Sequence, residues 1–215
     1  SGPVAWVDVP HPHFRIQYDS ELGRAEPAYG ETVARFLEKA REVVGARLGA
    51  VPAEAMGVVL YGRGAYLRAN RHRFSFQTVG FYDGRIHVAS AAHPADELRA
   101  LLFHEYTHAV FREQTGGDRP YWLNEGLAEL SERASRGQRG LTRSERSALC
   151  QQIDAGTWIP LRRIAPSFSG LADEEARIAY LESAAAAHWI EERTASADRG
   201  RMLQVLDEGG NADAA

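Results

Sequence analysis

Two of the chain's eight histidines stand four positions apart in His104-Glu105-Tyr106-Thr107-His108. On an α-helix that spacing stacks both imidazoles on one face, where they can aim at a single ion. Zinc accepts neutral imidazole nitrogens at about 2.0–2.1 Å, and the spacing supplies them. Glu105 projects about 100° away from His104, within reach of a water on the metal without having to bind the metal itself. A catalytic zinc needs a third protein ligand and one open position. Asn124-Glu125-Gly126-Leu127-Ala128-Glu129 follows soon after, and Glu125 is placed to complete a His-His-Glu set. Glu129, one turn later, can accept a hydrogen bond from the free ring nitrogen of a ligand histidine and so set its tautomer. The expectation is one Zn2+ per chain on His104, His108 and Glu125.

Those residues work only if helices carry them. The pattern predicts a helix from Pro94 to about Thr115, ended by Gly116-Gly117, with the histidine pair in its middle. Tyr121 to Ser135 reads as the next helix, joined by a turn short enough for the two to pack as a hairpin. Thr142-Arg143-Ser144-Glu145 is a capping box opening a third helix through about Ala155. Trp158 to Pro166 reads as a connection, Asp173 to Arg193 as a long helix, and Asp198 to Asp207 as a last short one. The first half differs. Val4 to Val7, Phe14 to Tyr18 and Met56 to Tyr61 read as strands, and Thr78 to Phe81 with Arg85 to Ala89 reads as a hairpin around Asp83-Gly84. Glu26 to Leu48 is an amphipathic helix, and Arg63 to Phe76 reads as a loop. The fold class expected is α+β, with a small N-terminal mixed sheet and its helices, a helical C-terminal lobe, and a cleft between them.

His104-Glu105-x-x-His108 with Trp122-Leu123-Asn124-Glu125-Gly126-Leu127-Ala128-Glu129 resembles the gluzincin zinc metallopeptidases, most closely the peptidase MA-like domains. Phe14-Arg15-Ile16, Val58-Val59-Leu60-Tyr61, Gly80-x-Tyr82-Asp83-Gly84-Arg85-Ile86 and Ile159-Pro160-Leu161 are similar to that family's landmarks, so the resemblance covers most of the chain. It implies a zincin-like architecture in one domain over 1–215, with an N-terminal lobe of about 1–117 and a C-terminal lobe of about 118–215. It further implies zinc on His104, His108 and Glu125, with Glu105 as general base and proton shuttle in peptide-bond hydrolysis. Tyr180, followed by Glu182-Ser183, resembles the family's Tyr-x-x-Ser segment and would donate to the developing oxyanion. The Gly-x-x-Glu-Asn segment of the aminopeptidase branch has no counterpart, because the corresponding strand reads Gly84-Arg85-Ile86-His87-Val88. An endopeptidase acting on a peptide or protein is therefore expected. The alternative is an inactive zincin-like domain serving as a peptide-binding or assembly module. The chain also stops soon after Gly209-Gly210-Asn211, which fits one domain of a longer protein.

The remaining residues exclude more than they suggest. With 215 residues, 44% hydrophobic and 25% charged, the composition is that of a globular chain, not a disordered or collagen-like one. No apolar run approaches the roughly 20 residues of a membrane helix. A net charge of −4 and no recognisable motif argue against nucleic acid. Arg68, Arg71, His72 and Arg73 with Phe74 and Phe76 then read as a solvated loop rimming the cleft, and Arg133, Arg136, Arg139, Arg143 and Arg146 as a solvated turn. Arg85 to Ser90 is expected to offer a strand edge to an extended peptide. His188 is a second candidate to assist the oxyanion. His11 and His13 read as an incidental pair, and His87 and His93 as structural hydrogen-bonding groups. Cys150 reads as buried packing, and one cysteine leaves the compartment open. Ser1-Gly2 as a cleavage remnant would mean that an upstream targeting segment has been removed.

Overall fold

The computed structural model describes residues 3–69, 80–90, 95–207 and 209. Arg71, His72, Arg73, Phe74, Phe76, Thr78, His93 and Pro94 lie outside the described residues. Short runs of alternating side chains build a five-stranded mixed sheet from β1 (Trp6–Val9), β2 (Phe14–Asp19), β3 (Met56–Tyr61), β4 (Gly80–Tyr82) and β5 (Arg85–Ala89). The spatial order is β1-β2-β3-β5-β4, parallel across β2, β3 and β5 and antiparallel at both outer pairs. Arg85–Ala89 is therefore an inner strand, not the expected edge. The Asp83-Gly84 turn, with Gly84 at φ 104°, folds Gly80–Tyr82 back outside it, and β4 takes the edge.

Phe14, Ile16, Val58, Leu60, Ile86 and Val88 are buried on the inner face in one hydrophobic cluster with the helices α2 (Tyr29–Leu48) and α4 (Ala95–Thr115). Two short helices precede or follow strands where none was expected. In α1 (Ser20–Ala25) the Asp19 carboxylate accepts from the Glu21 N–H at 3.0 Å, and Pro27 separates α1 from α2 because the residue before a proline resists helical backbone angles. In α3 (Arg63–Ala69), which the sequence suggests is loop, Ala65 and Tyr66 are buried against Val59, Tyr61 and Ala89 on the sheet's outer face. Seven residues are too few to show a helical period, so tertiary burial decides the conformation.

The second half is helical as expected: α5 (Tyr121–Ser135), α6 (Arg143–Asp154), α7 (Asp173–Glu191) and α8 (Ser196–Asp207). Among the described residues no helix is long and apolar enough to cross a membrane. Thr142 and Glu145 form the capping box, with reciprocal bonds of 3.2 and 2.8 Å. Cys150 is exposed rather than packed, because α6 turns only Leu149 fully inward. Helices α5 and α7 cross where Gly126 meets the Ser183 backbone, and a Cβ at 126 would stand 2.2 Å from the Ser183 carbonyl oxygen.

Glu182 is fully buried on α7 and ties down the Trp158–Pro166 connection by accepting from the Ile159 N–H at 3.0 Å. Burial pushes its carboxyl up to about 7, against the lowering effect of that bond. A folded-state pKa above the unfolded value means that stability is full below about pH 4.5 and is lost as pH rises through 7. Glu182→Gln keeps the acceptor and removes the charge. Its stability relative to the parent should rise by on the order of 2 kcal/mol between pH 5 and pH 8 in urea unfolding, and a pH-independent difference would contradict the assignment.

Candidate metal centre

The middle of α4 lies in the floor of a cleft of about 860 Å³ whose walls include β4, α5 and Tyr180 of α7. His104 and His108 project into it from successive turns, with their Nε2 atoms 3.1 Å apart. Glu125 comes in from α5, its Oε2 3.8 Å from His104 Nε2 and its Oε1 3.6 Å from His108 Nε2. Donor atoms bound tetrahedrally at about 2.0–2.1 Å stand roughly 3.3 Å apart, so the three side chains need only small shifts to share one ion. The carboxylate supplies a second reason: Glu125 is buried and its Oε2 has no hydrogen-bond partner. An orphaned carboxylate oxygen facing two imidazoles is costly without a cation and apt with one. The residues present therefore fit a divalent metal of zinc's preferences.

Each imidazole is oriented by a partner behind it. His108 Nδ1 bonds Asn124 Oδ1 at 2.8 Å, and Asn124 in turn donates to the Asp118 carbonyl at 3.3 Å. His104 Nδ1 bonds Glu132 Oε2 at 3.1 Å. This corrects the expectation for Glu129, which has a carboxylate oxygen within 4.8 Å of a His104 ring nitrogen but accepts no hydrogen bond from it. The reason is the hairpin. His104 sits a turn back along α4, so its counterpart lies further along α5, and a glutamate leans toward the N-terminus of its own helix. Glu132 reaches back to the imidazole and Glu129 does not.

The charges follow from these contacts. Burial opposes a charged His104, but the bond to Glu132 and the carboxylates of Glu105 and Glu125 outweigh it and raise the imidazole to about 9 in the metal-free protein. Glu132 is held below the usual carboxylate range despite burial, by His104 and by Arg136 at 2.9 Å. Glu129 is pushed up, chiefly by burial. Arg133 makes two bonds to Glu145, at 2.8 and 2.7 Å, and stands 3.8 Å from Glu129. Arg133 and Arg136 thus brace the carboxylates behind the site instead of forming the solvated turn expected of them.

Glu105 is buried in the same cleft, directly under the edge strand. A Cβ at Gly80 would fall 2.8 Å from its Oε1, so β4 approaches this closely only because residue 80 has no side chain. Tyr180 lines the cleft, half-exposed and edge-on to Phe168 at 4.9 Å, and burial with the charges of Glu125 and Glu129 pushes its phenol up to about 12. It stays protonated and able to donate. Tyr121, which sequence reasoning missed, lines the same wall against Phe168 and is raised by burial and by Glu125. His188 does not join the cleft; its imidazole lies over Gly140, where a Cβ would be 2.5 Å from Nε2. His87 is a structural group as expected, held between Tyr61 Oη at 2.9 Å and Asp83 at 2.8 Å.

His11 and His13 are less incidental than expected, since both face Glu38, at 3.5 and 3.0 Å. His11 Nδ1, however, accepts the His13 N–H at 3.0 Å, which leaves the neutral ring's proton on Nε2, the nitrogen that faces Glu38. The cluster is a hydrogen-bonded knot between the β1–β2 turn and α2, not an open ligand set.

Comparison with protein-family models, curated proteins and solved structures gives no match. The partner assignment is testable by itself. Glu132→Gln should weaken divalent-metal affinity 10- to 100-fold in competition with a chromophoric chelator, and Glu129→Gln should weaken it less; the reverse order would return the orienting role to Glu129.

Proposed function

We propose that this protein is a zinc-dependent peptidase of the gluzincin, peptidase MA-like type, cleaving internal peptide bonds of a peptide or protein. The observation that carries the reading is the convergence of His104, His108 and Glu125 around one point, with the Glu105 carboxylate in the same cleft. When bound there, zinc supplies a Lewis acid for a peptide carbonyl and brings the pKa of a water toward about 7. The chain's own groups do the rest. Glu105 accepts a proton from the attacking water and returns it to the leaving amine. Tyr180 donates a hydrogen bond to the carbonyl oxygen as that atom gains negative charge. Glu132 and Asn124 keep the proton of each imidazole on Nδ1, so that Nε2 of both faces the metal position. Among the described residues no strand pairs with the outer side of β4, which leaves a place where an extended substrate can add its backbone to the sheet beside Glu105.

The purified chain should carry about one zinc by elemental mass spectrometry, and His108→Ala should lose it. Glu105→Gln should keep the zinc and lose at least about 100-fold in cleavage of a peptide library. No zinc, even with excess metal, would sink the proposal. Full zinc with no turnover by the parent chain would leave a metal-binding module in place of a peptidase. Tyr180→Phe should lower kcat about 10- to 1000-fold with little change in zinc content, whereas an unaltered kcat would assign the phenol to packing against Phe168.

A further inference from the structure

Across the three parallel strands, Arg15 pairs with Gly57 and Gly57 pairs with Arg85, so the three residues form one row. Phe14, Ile16, Val58 and Ile86, which flank the row along the chain, face the core. The row therefore faces the outer side of the sheet, away from the cleft. Neighbouring strands lie about 4.7–4.9 Å apart, which puts the two arginine Cα atoms roughly 10 Å from one another, a span that two arginine side chains close easily. Arg85 already leans inward: a Cβ on Gly57 would stand 2.6 Å from its Cγ and 2.9 Å from its Cδ. A glycine in the interior of a strand weakens the strand and often marks a place where something approaches closely. Here it is the seat over which the Arg85 side chain lies, with Arg15 on the strand at its other side.

Neither guanidinium has a hydrogen bond or an ion pair among the described residues, and both are exposed. They border a groove of about 510 Å³ whose floor and walls include Pro10 and Val59. Asp8, the carboxylate in that lining, accepts from Gln17 Nε2 at 2.9 Å, and His11 turns its Nε2 toward Glu38. The groove is thus locally cationic on a chain whose net charge is −4. Two guanidinium forks brought together over this row would match the oxygens of a carboxylate or a phosphate, the groups that arginine binds through paired N–H bonds. The volume is far larger than a bare anion needs and falls within the roughly 300–1,000 Å³ of small-ligand sites.

We infer that the Arg15–Gly57–Arg85 row is an oxyanion-binding site, taking a ligand whose carboxylate or phosphate lies between the two guanidiniums while its body rests on Pro10 and Val59. The site is on the opposite face of the sheet from His104, His108 and Glu125, and it stands or falls independently of the peptidase reading.

Three probes separate the sources of the anion when titrated into the 15N-labelled protein at constant ionic strength: phenyl phosphate, the amide of N-acetyl-phenylalanyl-glutamate, and inorganic phosphate. One of the two probes with a body should saturate at least tenfold more tightly than inorganic phosphate, shifting the amides of Arg15, Gly57 and Arg85. Saturation by phenyl phosphate identifies a phosphate-bearing ligand, and saturation by the dipeptide a carboxylate-bearing one. Arg15→Gln and Arg85→Gln, both surface changes, should each weaken that probe at least tenfold. Gly57→Val, checked for folding by circular dichroism, should do the same by evicting Arg85. Failure of both bodied probes to saturate, inorganic phosphate binding as tightly as either, or saturable binding that survives both arginine changes would overturn the inference.

Discussion

The cleft depends on how closely α5 can lie against α7. At Gly126 the two helices approach until a single added carbon would overlap the Ser183 carbonyl, and the next residue back is Glu125. A side chain at 126 would force the helices apart and take two groups with it, the Glu125 carboxylate on one helix and Tyr180 on the other. Both now face the same cavity beside the histidines of α4. Ridge-and-groove packing sets helix separations at about 8–10 Å, and a glycine at the crossing brings a pair to the short end of that range. The distances between Glu125 and the imidazoles are therefore a consequence of backbone contact as much as of side-chain choice.

Around that crossing the charges are arranged in layers. The innermost layer holds two imidazoles and the buried Glu125, whose Oε2 has no partner. Behind it stand Asn124 and Glu132, each fixing one ring. Behind those stand Arg136 on Glu132 and Arg133 between Glu129 and Glu145. Each layer compensates part of the charge in front of it, and with both imidazoles neutral, as metal ligands must be, the charge left at the centre is that of Glu125. A low-dielectric floor with that charge is unfavourable alone and well suited to a divalent cation, which is why the electrostatics and the donor geometry lead to the same reading.

The sheet divides its two faces between these tasks. Its inner face carries the aliphatic residues that anchor α2 and α4, and so holds the histidine pair in place. Its outer face is covered at one end by α3, over Val59, Tyr61 and Ala89. The end carrying Arg15, Gly57 and Arg85 borders a groove. A strand alternates its side chains between faces, so β2, β3 and β5 serve both ends of the arrangement with interleaved residues.

The candidate ligands were legible in the sequence because helical periodicity is local. His104 and His108 stack wherever residues 95–115 form a helix, and the capping box at Thr142 and the Asp83-Gly84 turn need only their own neighbours. The α+β class follows from the same local patterns. What local patterns do not carry is distance between elements. Glu129 and Glu132 both lie near the expected face of α5, and only the offset between α4 and α5 decides which one meets His104. The edge position of β4 depends on strand order, the exposure of Cys150 on which side of α6 is covered, and the helix at Arg63–Ala69 on a sheet surface supplied by residues from β3 and β5. The sequence by itself determined which residues could act as ligands and base, through spacings of a few residues along one helix. The tertiary structure alone decided which groups orient and compensate them, because those contacts join segments whose separation is set by packing.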